Sequence, residues 1–260
     1  MKVTFPRVLR SEWTKLVSLR STWILLGVVA VLMATVAGLI GWRASLDPAT
    51  ENTVTLAVAR AFLSVDLASL IVGVFGILLM TGEYSSGAIR STLAAVPRRL
   101  PVLAAKALAL AGLMLPVMVL ASTASLLVSQ AFADAGERVG LGDDGVPRAT
   151  AGAALAPVLL GLLGLGIGTM VRHTAAAITV YVGVLLVIPA LLPAVLSSRL
   201  EDDVMRLVPV AAGQSLYAVG KSDGGGGLTL LSPGPAALVM AAWIVAILVG
   251  GALILRRRDA

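Results

Sequence analysis

Few side chains in this sequence can do bond chemistry, and their spacing excludes most of it. The chain has 260 residues, no cysteine and one histidine, His173. Thiolate nucleophiles, disulfides and cysteine metal sites are excluded together, and no histidine cluster can be built. HExxH is absent, which removes the common zinc-protease pattern. An intramembrane serine protease needs a Ser–His pair, but His173 falls in the polar triplet Arg172-His173-Thr174 between two apolar runs. Ser122, Ser125 and Ser129 lie inside an apolar run and read as helix–helix hydrogen bonds. Gly220-Lys221-Ser222 ends like a phosphate-binding loop, yet the glycine required five residues earlier is Ser215. Asp66 is the one ionisable residue well inside an apolar run. As a charge in hydrocarbon it is a candidate pathway residue, contacting a substrate or ion. At about 7.5 Å from the outer end of its helix it is also close enough to the interface to pair with Arg60 or Arg43.

The elements that position these residues follow from composition. Hydrophobic residues make up 58% of the chain and charged residues 13%, with 27 glycines. A soluble fold of this size cannot hide so much apolar surface, and a disordered chain would not carry it. What remains is an all-α polytopic membrane protein, one transmembrane domain over residues 1–260. A crossing helix needs about 20 mostly apolar residues. Six stretches qualify: 23–42, 61–81, 107–130, 151–171, 175–196 and 235–255. The fourth and fifth must be separate, because one helix over 151–196 would run about 69 Å. The triplet at Arg172 is therefore a tight turn at one interface. Gly164 and Gly168 form a GxxxG pair with Gly161 on the same face, which permits close helix packing within one subunit or across a dimer.

Charge sets the orientation. The N-terminus, the loop between spans two and three, Arg172 and the tail together carry thirteen Lys and Arg; the opposite side carries seven, with ten acids. Positive loops stay in the cytoplasm, so both termini are expected inside. The net charge of +6 is this asymmetry, and no nucleic-acid partner is expected.

Two segments outside the spans carry pattern. In FPRVLRSEWTKLVSLRST, residues 5–22, the apolar Phe5, Val8, Leu9, Trp13, Leu16 and Val17 share a helical face opposite Arg7, Arg10 and Lys15. The spacing predicts an amphipathic helix lying on membrane lipids of the inner leaflet. In TGEYSSGAIRSTLAAVPRRLPVLAAK, residues 81–106, Gly82 can end span two in a left-handed cap and Ser86 can cap a new helix. Ile89, Leu93 and Val96 then recur on one face of that helix, Pro97 stops it, and Pro101 starts the next. The outer loop from Ser197 holds a Gly224–Gly227 linker and a short re-entrant helix candidate over 204–217, weakened by Pro209 and Gly213.

SEWTKLVSLRSTW (residues 11–23) and TGEYSSGAIRSTLAAVPRR (residues 81–99) resemble segments of actinobacterial type-2 ABC transporter permease subunits. The order of parts is similar across nearly the whole chain: surface helix, six spans, and a cytoplasmic helix between spans two and three. The resemblance implies an exporter subunit in a bacterial plasma membrane that does no bond chemistry and is not itself an enzyme. It implies no cofactor in this chain, with ATP and magnesium on a separate ABC ATPase subunit. It also implies a second permease subunit, identical or paralogous. The helix after span two would be the coupling helix, with Glu83, Tyr84, Ile89, Arg90, Leu93, Val96, Arg98 and Arg99 in or beside the ATPase contact. An ATP-independent carrier, or a non-transporting assembly or immunity factor, are the alternatives; repeats and broken helices near mid-membrane would favour the carrier.

Overall fold

The computed structural model describes residues 4–46, 53–96, 99–134, 138–196, 198–220 and 230–257. Every regular element among them is a helix. In chain order these are α1 (Phe5–Ser18), α2 (Arg20–Ser45), α3 (Val54–Phe62), α4 (Val65–Ser85), α5 (Ala88–Ala95), α6 (Arg99–Gln130) and α7 (Val146–Val171). After these come α8 (Thr174–Val182), α9 (Ile188–Val195), α10 (Ser198–Met205), α11 (Pro209–Tyr217) and α12 (Pro233–Arg257).

Six helical units are long and apolar enough to cross a membrane: Arg20–Ser45, Val54–Ser85, Arg99–Gln130, Val146–Val171, Thr174–Val195 and Pro233–Leu255. The chain is an all-α, multi-pass membrane protein, with each crossing covering one of the six apolar stretches. The second crossing is α3 plus α4, interrupted at Leu63–Ser64. The third, α6, has 32 residues. At ~1.5 Å per residue that is about 48 Å, longer than the ~30 Å hydrocarbon core, so it extends past the bilayer.

The core is built on α7. Its helix is the most buried of the six, with α4 and α6 along it and α11 and α12 against its flanks. Small residues allow this. A Cβ on Gly164 would strike the Gly73 carbonyl of α4, and one on Gly168 would sit 2.9 Å from the Ile77 carbonyl. Gly161 faces Val72 in the same way. The GxxxG face therefore packs inside one chain, against the second crossing, where van der Waals contact between backbones replaces the hydrophobic drive that lipid cannot supply. The first, fifth and sixth crossings leave most of their surface outside this core.

The turn between the fourth and fifth crossings is as short as the sequence requires. Arg172 closes α7 in the left-handed region, with φ 63, and donates its N–H to the Gly168 carbonyl. His173 Nδ1 accepts the Ala176 N–H at 3.4 Å, so the lone histidine serves as the N-cap of α8. The fifth crossing then widens into a π turn over Gly183–Val187 before Pro189. Proline lacks an N–H and its ring crowds the carbonyl four residues back, so an i→i+5 bond from Ile188 N–H to the Gly183 carbonyl relieves the helix there.

Three local expectations change. Gly82 does not end α4, which runs on to Ser85; the left-handed residue is Gly87, with φ 73, and it stands where Ser86 was expected to cap α5. The outer segment is two helices rather than one, and Pro209 starts α11 in a first-turn position rather than breaking it. The buried stripe of α1 is Val8, Glu12 and Leu16, with Leu9 beside it, while Phe5 and Trp13 are each 40% exposed. Lys221 and Gly224–Gly227 lie outside the described residues.

Candidate functional site

The charged residues near α5 meet where α1, α4 and α6 converge. Lys106, one turn or more into α6, donates to Glu12 Oε2 at 2.6 Å and to Glu83 Oε1 at 2.6 Å. Lys15 of α1 donates to Glu12 Oε1 at 2.6 Å, to Glu83 Oε1 at 2.9 Å and to Thr92 Oγ1 of α5 at 3.4 Å. Two cations and two anions cancel. The Glu12 and Lys106 side chains are each only 5% exposed, so their desolvation must be offset by this pairing. Burial pulls the Lys15 ammonium down, but its bonds to Glu12 and Glu83 outweigh that and hold it above the usual lysine value of 10.5. With a raised folded value, the Lys15 contribution is fully present below pH 10.5 and is lost only as pH climbs past the raised value.

Three further contacts tie the ends of the crossings to one another near this cluster. The Arg172 guanidinium lies 5.1 Å over the Tyr84 ring. That contact joins the end of α4 to the α7–α8 turn by a cation–π attraction. Thr174 Oγ1 donates to Thr81 Oγ1 at 2.9 Å across the same junction. Arg99 Nη1 donates to the Leu255 carbonyl near the C-terminal end of α12, where the helix dipole favours a cation. Through Lys15–Thr92, α5 is joined to the network shared by α1, α4 and α6.

The eight residues expected at an ATPase contact are not placed alike. Glu83 and Tyr84 face inward, into the ion network and under Arg172. Ile89 is 3% exposed and belongs to the core, so it does not present an outward apolar face. Val96 packs toward Val8 and Val102. Arg99 is tied to α12. Arg98, and the side chains of Arg90 and Leu93, lie outside the described residues. Among the described side chains of α5, the exposed ones are Ala88, Ser91 and Ala94, three residues apart. Glu12, Lys15 and Lys106 were missed as a site. One signal was available: Glu12 stands four residues from both Val8 and Leu16, on the stripe that α1 buries.

A second polar cluster lies at the other end of the bundle. Asp66 Oδ2 accepts from Gln214 Nε2 at 2.7 Å, and Asp66 Oδ1 accepts from the Tyr217 hydroxyl at 3.0 Å. Its partners are thus on α11, not Arg60 or Arg43. Tyr217 also meets Phe62 edge to face, with ring centres 6.2 Å apart. Arg148 of α7 donates to the Leu216 and Ala218 carbonyls and caps the C-terminal end of α11. Asp66 is thereby a latch that holds α11 to the second crossing. Replacing Asp66 with Ala leaves the Tyr217 hydroxyl and Gln214 amide without their acceptor, at about 1–3 kcal/mol. The expected result is faster amide exchange confined to α11 and the start of α4; unchanged exchange there would refute the latch.

Among the described residues no group of His, Asp and Glu is placed to hold a metal ion. No protein-family model matches the chain, and no curated protein matches it.

Proposed function

We propose that the chain is the membrane-spanning subunit of an ATP-binding-cassette exporter, paired with a second permease subunit and driven by a separate ATPase. What carries the reading is α5. It is a short helix set between the second and third crossings, rooted by Lys15–Thr92 in an ion network, with Ala94 exposed and with Ala88 and Ser91 exposed at the edge of a cleft beside α1 and α4. Such a helix can take a push from a partner and pass it to several crossings together. Both termini are placed in the cytoplasm of a bacterial plasma membrane on the thirteen-to-seven distribution of basic residues.

The absence of native cysteine makes the orientation directly testable. Single cysteines at Ser91 and at Gly142, both exposed and at opposite ends of the bundle, report the two sides. In intact cells a membrane-impermeant maleimide should label Gly142→Cys and spare Ser91→Cys until the membrane is opened. The reverse pattern would place α5 outside and end the coupling reading. The carrier alternative draws on the π turn in the fifth crossing and the interruption at Leu63–Ser64, which resemble the broken helices of ion-driven carriers. Transport by the chain alone in vesicles, driven by an ion gradient without ATP, would favour it.

A further inference from the structure

A cleft of ≈ 470 Å³ opens between α1, the last turns of α4 and α5. That size lies within the ~300–1,000 Å³ of small-ligand sites. Its walls are apolar, from Leu16, Leu19, Leu78 and Leu79, and its inner end is the Glu12–Lys15–Glu83–Lys106 network. Leu19 and Leu78 are exposed at 49% and 43%, so the cleft is open at the level where α4 leaves the membrane.

Hydrogen-bond capacity at the inner end is lopsided. An ammonium has three N–H groups. Lys15 spends three on Glu12, Glu83 and Thr92, and Lys106 spends two on Glu12 and Glu83. Glu83 takes all of its bonds on Oε1, while its Oε2 is buried with no partner among the described residues. The side chain lines the cleft and keeps 13% of its surface, and carboxylate torsion about its last bond is soft, so the carboxylate can offer its unbonded oxygen to a donor there. The unmet need is for a donor. For a phosphate, Lys15 is fully committed and the one N–H that Lys106 keeps belongs to a side chain only 5% exposed; a quaternary ammonium brings no N–H.

We propose that this cleft binds a phospholipid with a primary ammonium headgroup, drawn from the leaflet into which it opens. The acyl chain lies along Leu16, Leu19, Leu78 and Leu79, and the ammonium donates to Glu83 Oε2. The inference depends only on the chain's place in a bilayer and stands whether or not the chain transports anything.

The test uses the purified full chain, washed of native lipid and placed in nanodiscs of phosphatidylethanolamine, phosphatidylcholine or phosphatidylglycerol with identical acyl chains. Lipid retained after extraction is counted by native mass spectrometry. A charge-assisted hydrogen bond present for only one headgroup predicts about tenfold greater retention of phosphatidylethanolamine. Leu78→Trp and, separately, Leu19→Trp fill the cleft from exposed positions outside the ion network, and each should abolish that preference. Equal retention of the three lipids, preference for phosphatidylglycerol, or full phosphatidylethanolamine retention in both tryptophan variants would overturn the proposal.

Discussion

Lys106→Met is expected to destabilise the folded chain by about 3–5 kcal/mol, the cost of leaving buried charge without its partner. Of the two ammoniums on Glu12 and Glu83 among the described residues, Lys106 is the buried one, 5% exposed against 41% for Lys15. Without it, one half-exposed lysine must balance two carboxylates, and α1 loses its strongest tie to α6. The measurement is thermal unfolding in detergent, with limited proteolysis at α1. Adding Glu12→Gln to Lys106→Met removes the excess negative charge and should recover a good part of the loss. That recovery separates the ionic role from the packing of the lysine stem. A single variant within 1 kcal/mol of the parent would show that the network contributes little.

Ala94→Glu should leave insertion and unfolding close to the parent, since Ala94 is exposed and alanine to glutamate costs little in a helix. Its expected effect is on the partnership. A new charge desolvated in an interface without a counter-ion costs about 2–5 kcal/mol, which is more than tenfold in affinity. ATPase co-purification and ATP-dependent transport should both fall by at least that factor. A folded Ala94→Glu chain that still holds its ATPase and transports at full rate would remove α5 from the coupling path.

The crossings were legible because the bilayer imposes a length. An apolar run either reaches about 30 Å or it does not, and the polar Arg172–Thr174 triplet has nowhere to go but an interface. The α7 glycine face was legible as a packing surface, but its partner was not. Gly76 of α4 supplies the gap against Gly161, while Gly73 also makes room for Tyr181 of α8, and only the crossing of the helices reveals that. The surface segments were harder. Ile89, Leu93 and Val96 share a helical face, and periodicity says that such a face is buried without saying against what; Ile89 and Val96 are covered by this chain itself. Gly82 and Gly87 both suit a left-handed cap, and local pattern alone does not choose between them; α4 runs past Gly82 to Ser85 and Gly87 takes the positive φ. The partners of Asp66 lie 148 and 151 residues away on α11, a distance over which no local pattern operates.

The measurement closest to the central claim is site-directed cross-linking from α5 in native membranes. The chain brings no cysteine of its own, so Ala94→Cys is a unique handle. A maleimide carrying a benzophenone, attached to Ala94→Cys and photoactivated to insert into neighbouring C–H bonds, should join it to a subunit that binds and hydrolyses ATP, with a yield that changes when that subunit is held in its ATP-bound state. Gly142→Cys, at the far end of the bundle, should give no such product. A transport-competent Ala94→Cys chain that forms no adduct with an ATP-hydrolysing subunit in either nucleotide state would contradict the account.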